Sequence, residues 1–266
     1  MFGWYELLQS PITLSQAGAW LSLFILVLAR LSGLAVLAPI YGSAAVPWKI
    51  RGLLAITLAL LICPVQWGQT PTLAPWDLIP ALVSELALGM ALGWSVAVLL
   101  GGVRMAGQWA SQVCGMNLTD SIPDEEFGGS PVGQLYSWVA LASYVAFNGH
   151  LLLLGGLLNS FTDLPPGRAM FAAPSVEVLA TMMNHSFQLA LCGGGPVLVS
   201  LWLTSVLLGL LSRLLPTMNL FAVGFSLLIG VTLLALSSSL GGHVNLFLEY
   251  AVEAVPQVLR SAVIPS

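Results

Sequence analysis

From residue 17 to residue 240 the chain is a succession of long apolar runs separated by short polar connections, and that pattern leaves few folds open to it. A helix needs about 20 predominantly apolar residues to cross the hydrocarbon core of a bilayer. Six runs approach or exceed that length, at 17–39, 50–66, 78–103, 132–158, 176–212 and 217–240. No Gly/Ser linker and no charged tail divides them. The expectation is therefore all-α: one integral membrane unit, residues 1–266, of about six long hydrophobic helices. Composition agrees, because 58% of the residues are hydrophobic and 7% are charged, against about 25% charged in a soluble domain. A net charge of −4 carried by so few ionisable groups offers no basic patch, so nucleic acid is not an expected partner.

The fifth run is too long for one simple crossing and contains "CGGGPVL" at 192–198, where three glycines and Pro196 predict a kink or a break. One long bent helix and two shorter ones both remain open. In the C-terminal stretch, Asn245, Glu249, Glu253, Gln257 and Arg260 follow helical spacing and predict an amphipathic helix at a surface. The N-terminal "MFGWYELLQSPITLSQ" carries Glu6 and no positively charged segment, so the first span is expected to stay in the mature protein. Cys63, Cys114 and Cys192 lack the spacing of a metal site and read as buried structural thiols.

The few charges near apolar runs each need an explanation. Lys49 and Arg51 beside the first connection, Arg104 in the third and Arg213 in the last suggest that these face the cytoplasm, with both termini outside it. Arg30, Glu85 and Arg213 lie in or next to spans, where a charge costs at least about 2.5–3.5 kcal/mol at the membrane centre. For Arg30 and Arg213, snorkelling to the headgroups and a functional role are both open. For Glu85, the alternatives are an interfacial position and a pore or proton-relay role. His150 and His185 read as interior hydrogen-bonding groups rather than metal ligands.

Catalytic signatures are missing: there is no H-E-x-x-H, G-x-S-x-G, P-loop or dinucleotide fingerprint. No catalytic residue, metal ligand or cofactor is expected, and the chain reads as non-enzymatic. "GMALG" at 89–93 is a G-x-x-x-G motif, for which contact between two helices and assembly with other subunits are both open, through Gly89 and Gly93. The stretch 107–134 turns polar, carries four acids and ends in "FGGSPVG", which reads either as a solvated loop or as a mobile gate. As a gate, Met116, Leu118 and Ile122 would exclude water while Gly115, Gly128 and Gly129 would let the segment swing aside. Asp120, Asp124, Glu125 and Glu126 would then face a wetted vestibule.

Three stretches, "RLSGLAVLAPIYGSAAVPWKIRGLLAITLALLICP" at 30–64, "FNGHLLLLGGLLNSFTDLPPG" at 147–167 and "LLSRLLPTMNLFAVGFSLLIGVTLL" at 210–234, resemble the FliR family of type III secretion export-gate proteins. The resemblance runs in one order from the first span to the last. Around "FNGH" it is nearer to the flagellar branch than to the injectisome counterparts called SctT. It implies a subunit of the bacterial inner membrane and flagellar basal body, in a hetero-oligomeric complex with FliP and FliQ homologues. Together they would form the channel through which unfolded proteins are exported. FlhB and FlhA homologues, exported protein substrates and membrane lipid are the further implied partners. The family's plug loop would fall on residues 113–131, where Gly115 matches, while the acidic run "PDEE" and the position of Gln112 depart from the family pattern. "RLLPTMN" then reads as a hairpin tip, with Arg213 ending one helix, Pro216 and Asn219 making the turn, and all three open to subunit contact. A secondary transporter, with its substrate at a broken "GGGP" helix near Arg30 or Glu85, is the alternative from another class.

Overall fold

The computed structural model describes residues 14–39, 46–67, 76–113, 131–168, 174–214 and 220–263. Among these residues every regular element is a helix: α1 (Leu14–Leu37), α2 (Trp48–Ile62), α3 (Leu78–Val113), α4 (Pro131–Ala146), α5 (Gly149–Asp163), α6 (Pro174–Leu214) and α7 (Leu220–Val263). The contacts gather into two compact units. The first holds Met1–Ala97, His150–Thr181 and Val252–Ser266, and the second holds Val98–Gly149 and Met182–Ala251.

Three helices are long and apolar enough to cross a membrane, within Gly18–Leu37, Leu78–Val113 and Glu177–Leu214, and up to four if the bent pair α4 and α5 counts as one. Of the six expected spans, the described residues thus show three to four. The run at 50–66 yields α2, whose 15 residues rise only about 22 Å, short of the ~30 Å hydrocarbon core. The run at 217–240 becomes part of α7, with Gly224–Ser239 as a shorter apolar stretch. Conversely, α3 with 36 residues and α6 with 41 extend to roughly 54 and 62 Å at 1.5 Å per residue. Arg104, expected in a connection, therefore lies inside α3 and is exposed.

Of the two readings open for the fifth run, the single long helix holds. α6 runs unbroken through Gly193, Gly194, Gly195 and Pro196. Gly194 explains part of this, since a Cβ there would press on Ala106 of α3, so the glycine serves close helix packing. The interruption comes instead in the fourth run, where α4 and α5 bend by 60°. Asn148 adopts φ 57°, a left-handed conformation that Asn tolerates better than most residues and that an α-helix cannot continue. Gly149 must follow, because a Cβ there would overlap the Tyr144 ring.

In the second unit, glycines again set the spacing. Gly102 lies against the Ser186 backbone and Gly107 against the Tyr136 ring, and the Ser186 hydroxyl donates to the Val98 carbonyl at 2.7 Å. The C-terminal amphipathic segment is not a separate helix but the second half of α7, a single 44-residue helix. Its polar stripe is exposed at Asn245, Glu249, Glu253 and Arg260, while Phe247, Ala251, Ala254 and Val258 are buried.

Candidate functional site

In the first unit, the close approach of α1 and α3 follows from three glycines. A Cβ on Gly33 would overlap the Leu86 carbonyl oxygen, one on Gly89 the Arg30 carbonyl oxygen, and one on Gly93 would lie 2.9 Å from the Leu34 carbonyl oxygen. The two backbones therefore touch, as small residues permit in membrane helix pairs. The G-x-x-x-G motif serves this crossing inside the chain. Any part of Gly89 and Gly93 in subunit contact would be indirect, because α1 fills their open face.

That crossing brings together Arg30, one turn before Gly33, and Glu85, one turn before Gly89. Both side chains are fully buried, and Arg30 Nε lies 2.6 Å from Glu85 Oε2. Snorkelling of Arg30 and an interfacial Glu85 are thus both corrected. The physical reason is that each charge is the other's partner, the usual solution for ions deep in apolar surroundings.

The pair also holds the end of α5. Arg30 Nη1 donates to the Ser160 carbonyl at 2.9 Å and to its hydroxyl at 3.0 Å, and Nη2 donates to the Leu164 carbonyl at 3.1 Å. The guanidinium carbon sits 4.3 Å from the Phe161 ring centroid. Carbonyls at a helix C-terminus lack intrahelical donors and carry partial negative charge, so Arg30 caps α5 from another helix. Glu85 completes the clamp, because its Oε1 accepts the Gly167 amide at 2.8 Å. Gly167 has φ 86°, which places it in a region that favours glycine. Three elements far apart in sequence are thus tied by one buried ion pair. With Arg30 and Glu85 fully engaged, the arrangement fixes backbone geometry.

The other candidate residues are distributed differently. Gly115, Met116, Leu118, Ile122, Gly128 and Gly129 of the gate segment lie outside the described residues, as do Pro216, Asn219 and Cys114. Arg213 stands exposed in the last turn of α6, where the helix dipole favours a cation by about 0.3–1 kcal/mol. Cys63 is buried as expected, but Cys192 is exposed. His150 and His185 are partly buried, yet the Nδ1 atom of each lacks a hydrogen-bond partner among the described residues. His185 instead stacks on Tyr250, with ring centroids 4.4 Å apart and planes 3° from parallel. The Tyr250 hydroxyl donates to Gln188 Oε1 at 2.8 Å. Among the described residues, no three His, Cys, Asp or Glu gather as a metal site would require.

Exposure separates the long helices. In the most apolar window of α3, 56% of the residues are buried within the chain, against 11% in α6. Val199, Trp202, Leu203, Leu207 and Leu210 of α6 all stand more than half exposed. Leaving such side chains in water forfeits about 1.5–3 kcal/mol each, so this helix demands lipid or protein around it.

These features define an all-helical chain with three to four candidate membrane spans, a buried ion-pair clamp in one unit and an exposed apolar helix face in α6. Compared with known proteins, residues 21–254 match the family described as bacterial export proteins, family 1. The chain belongs to this family, which joins flagellar FliR and injectisome SpaR proteins. It is 26% identical over 227 residues to the flagellar biosynthetic protein FliR of Escherichia coli strain K12, covering 84% of this chain and 87% of that one. With the FliR of Bacillus subtilis strain 168 it shares 30% over 218 residues, covering 80% and 84%. The surface presentation of antigens protein SpaR of Salmonella typhimurium is 27% identical over 207 residues, covering 77% and 78%.

Proposed function

We propose that the chain is a non-enzymatic subunit of the flagellar type III protein export gate in the bacterial inner membrane. It acts as one unit with FliP and FliQ homologues, with FlhB and FlhA homologues beside them, to form the channel for unfolded flagellar proteins. The family match from residue 21 to residue 254 carries this reading, and the flagellar relatives favour the flagellar system. The exposed apolar face of α6 supports the assembly part, since it requires a neighbour. In the complex, α2 and the apolar start of α7 lie among other subunits and lipid, which completes the six membrane-associated helices. The segment containing Gly115, Met116, Leu118, Ile122, Gly128 and Gly129 acts as the reversible plug, and Arg213, Pro216 and Asn219 form a hairpin tip at a subunit contact.

Co-purification tests the proposal. The tagged chain should recover FliP and FliQ homologues from its own membranes, and its deletion should abolish motility. A stable lone chain together with normal motility in the deletion strain would overturn it. The SpaR relative supports an injectisome subunit as the second reading, under which the deletion strain would stay motile but lose effector secretion. Solute transport at a broken helix is disfavoured, because α6 is continuous through "GGGP" and Arg30 and Glu85 are buried against each other.

A further inference from the structure

Leu53, Leu60, Leu61 and Val65 give α2 an exposed apolar surface, and Leu21 and Val36 do the same for α1, the helix on which α2 packs. Thr57, in the middle of that surface, is exposed too, yet its hydroxyl donates to the Leu53 carbonyl at 2.8 Å. Ser22 of α1 bonds back to the Ala19 carbonyl at 2.9 Å in the same way. Polar groups on a helix face in hydrocarbon must be satisfied from within the protein, and these two hydroxyls are.

Tryptophans close this apolar band at both ends. Trp20, near the start of α1, and Trp67, just past α2, have ring centroids 6.5 Å apart, so the two helices run antiparallel with these ends together. Arg30 meets Glu85 and Gly89, and Leu34 meets Gly93, so α1 and α3 run parallel. Trp76, which stands just before α3, is thereby brought to the same end, where it is 75% exposed. At the opposite end Trp48 opens α2 and is 77% exposed. Large rings left outside the core at two levels of a helix pair are what a bilayer selects, since the apolar body of Trp meets lipid while its N–H meets water. Helix length sets the distance between the two levels. From Trp48 to Ile62 α2 rises about 21 Å, and from Trp20 to Leu37 α1 rises roughly 26 Å. Both fall short of the ~30 Å hydrocarbon core of an average bilayer.

We propose that the α1–α2 pair fits a bilayer thinner than average, with about 21–26 Å of hydrocarbon, Trp48 at one interface and Trp20, Trp67 and Trp76 at the other. A span this short draws the surrounding bilayer thinner, and anchors at both ends keep it from sliding toward either face. The inference rests on the membrane setting of the proposed function but on no particular secretion system, so its failure would leave the export reading to be decided by co-purification. The full chain would carry one nitroxide at a time on cysteine at Ile50, Ile56, Leu60 or Val65, all exposed, in a C114A/C192A background. Cys63 is buried and can stay. In dimyristoleoyl phosphatidylcholine vesicles, collisions with oxygen relative to a water-soluble nickel chelate read the depth of each label. The ratio should peak at Ile56, roughly 10 Å from either interface, and be lowest at Ile50 and Val65. Trp48→Ala should flatten the difference between Ile50 and Ile56, whereas Trp48→Tyr should preserve it. From an equimolar mixture of dimyristoleoyl and dierucoyl phosphatidylcholine, the lipid retained on copolymer extraction should be enriched in the shorter chain by roughly twofold or more. A shallow, uniform profile along α2 would overturn the proposal by laying the helix on the surface. Equal retention of the two lipids, or an unchanged profile in Trp48→Ala, would also overturn it. So would labels that become immobile and closed to oxygen in the complex recovered with partner subunits, since protein would then cover this face.

Discussion

Replacing Arg30 by leucine removes one member of a fully buried ion pair and takes this donor from four groups: the Glu85 carboxylate, the Ser160 hydroxyl and the carbonyls of Ser160 and Leu164. Breaking a buried pair from one side costs about 3–5 kcal/mol, because the remaining ion is buried without compensation. At 1.36 kcal/mol per decade, that is roughly a 10²- to 10⁴-fold fall in the folded-to-unfolded ratio. Glu85→Gln should lose less, about 1–3 kcal/mol, since an amide oxygen can still accept from Arg30 Nε or the Gly167 amide. Combining Arg30→Leu with Glu85→Leu removes both ions together, so the double variant should be more stable than the summed single losses predict by at least about 2 kcal/mol. Denaturation in mixed micelles, followed by circular dichroism, reads these differences. Raising the salt from about 0.05 to 1 M should change them little, because screening acts mainly on exposed charges. Additive losses, or single losses below about 1 kcal/mol, would refute the clamp.

Gly89→Ala places a Cβ on the Arg30 backbone and should cost about 2 kcal/mol or more in the same measurement, whereas Gly101→Ala, with open space around it, should be neutral or stabilising by about 0.5–1 kcal/mol. At the α4–α5 corner, Asn148→Gly should be tolerated and Asn148→Val should lose roughly 1–2 kcal/mol, because a β-branched residue resists φ 57°; equal stability of the two variants would contradict the left-handed corner. Deleting residues 116–122 should leave recovery of FliP and FliQ intact but depolarise the membrane on induction, as an open pore dissipates about 2.3 kcal/mol per charge per 100 mV; a tight deletion complex would place the seal elsewhere. Arg213→Leu should reduce motility more than Arg213→Lys, which keeps the charge at the end of α6, and equal motility would remove Arg213 from any contact.

Helical character, apolar runs and the crossing motif at Gly89 and Gly93 were legible because each depends on neighbours in sequence. The count of spans was not, because runs such as 50–66 and 217–240 end or continue where tertiary packing decides. "GGGP" left two readings open for a related reason: local rules read three glycines and a proline as a kink or a break, while one of those glycines provides room for Ala106 of another helix. Asn148 left a faint signal, since an Asn-Gly pair is a turn dipeptide, but it sits inside an apolar run. The clamp was the least visible feature. Arg30 and Glu85 could each be singled out as expensive charges, yet nothing local says that they meet. Gly33, which stands within "RLSG", is the residue whose size would have hinted at the close crossing.

The clamp has a further consequence at the time of synthesis. Arg30 is 55 residues upstream of Glu85 and 130 upstream of Ser160. At about 5–20 residues per second, the guanidinium waits roughly 3–11 s for its counter-ion and 7–26 s for the helix end that it caps. Throughout that interval α1 carries a bare cation whose burial costs at least about 2.5–3.5 kcal/mol. In the proposed membrane setting, that cost opposes full-depth insertion of the first helix when it emerges and favours a shallower position until α3 delivers the carboxylate. Order of arrival, together with hydrophobicity, then bears on when this segment reaches its final depth.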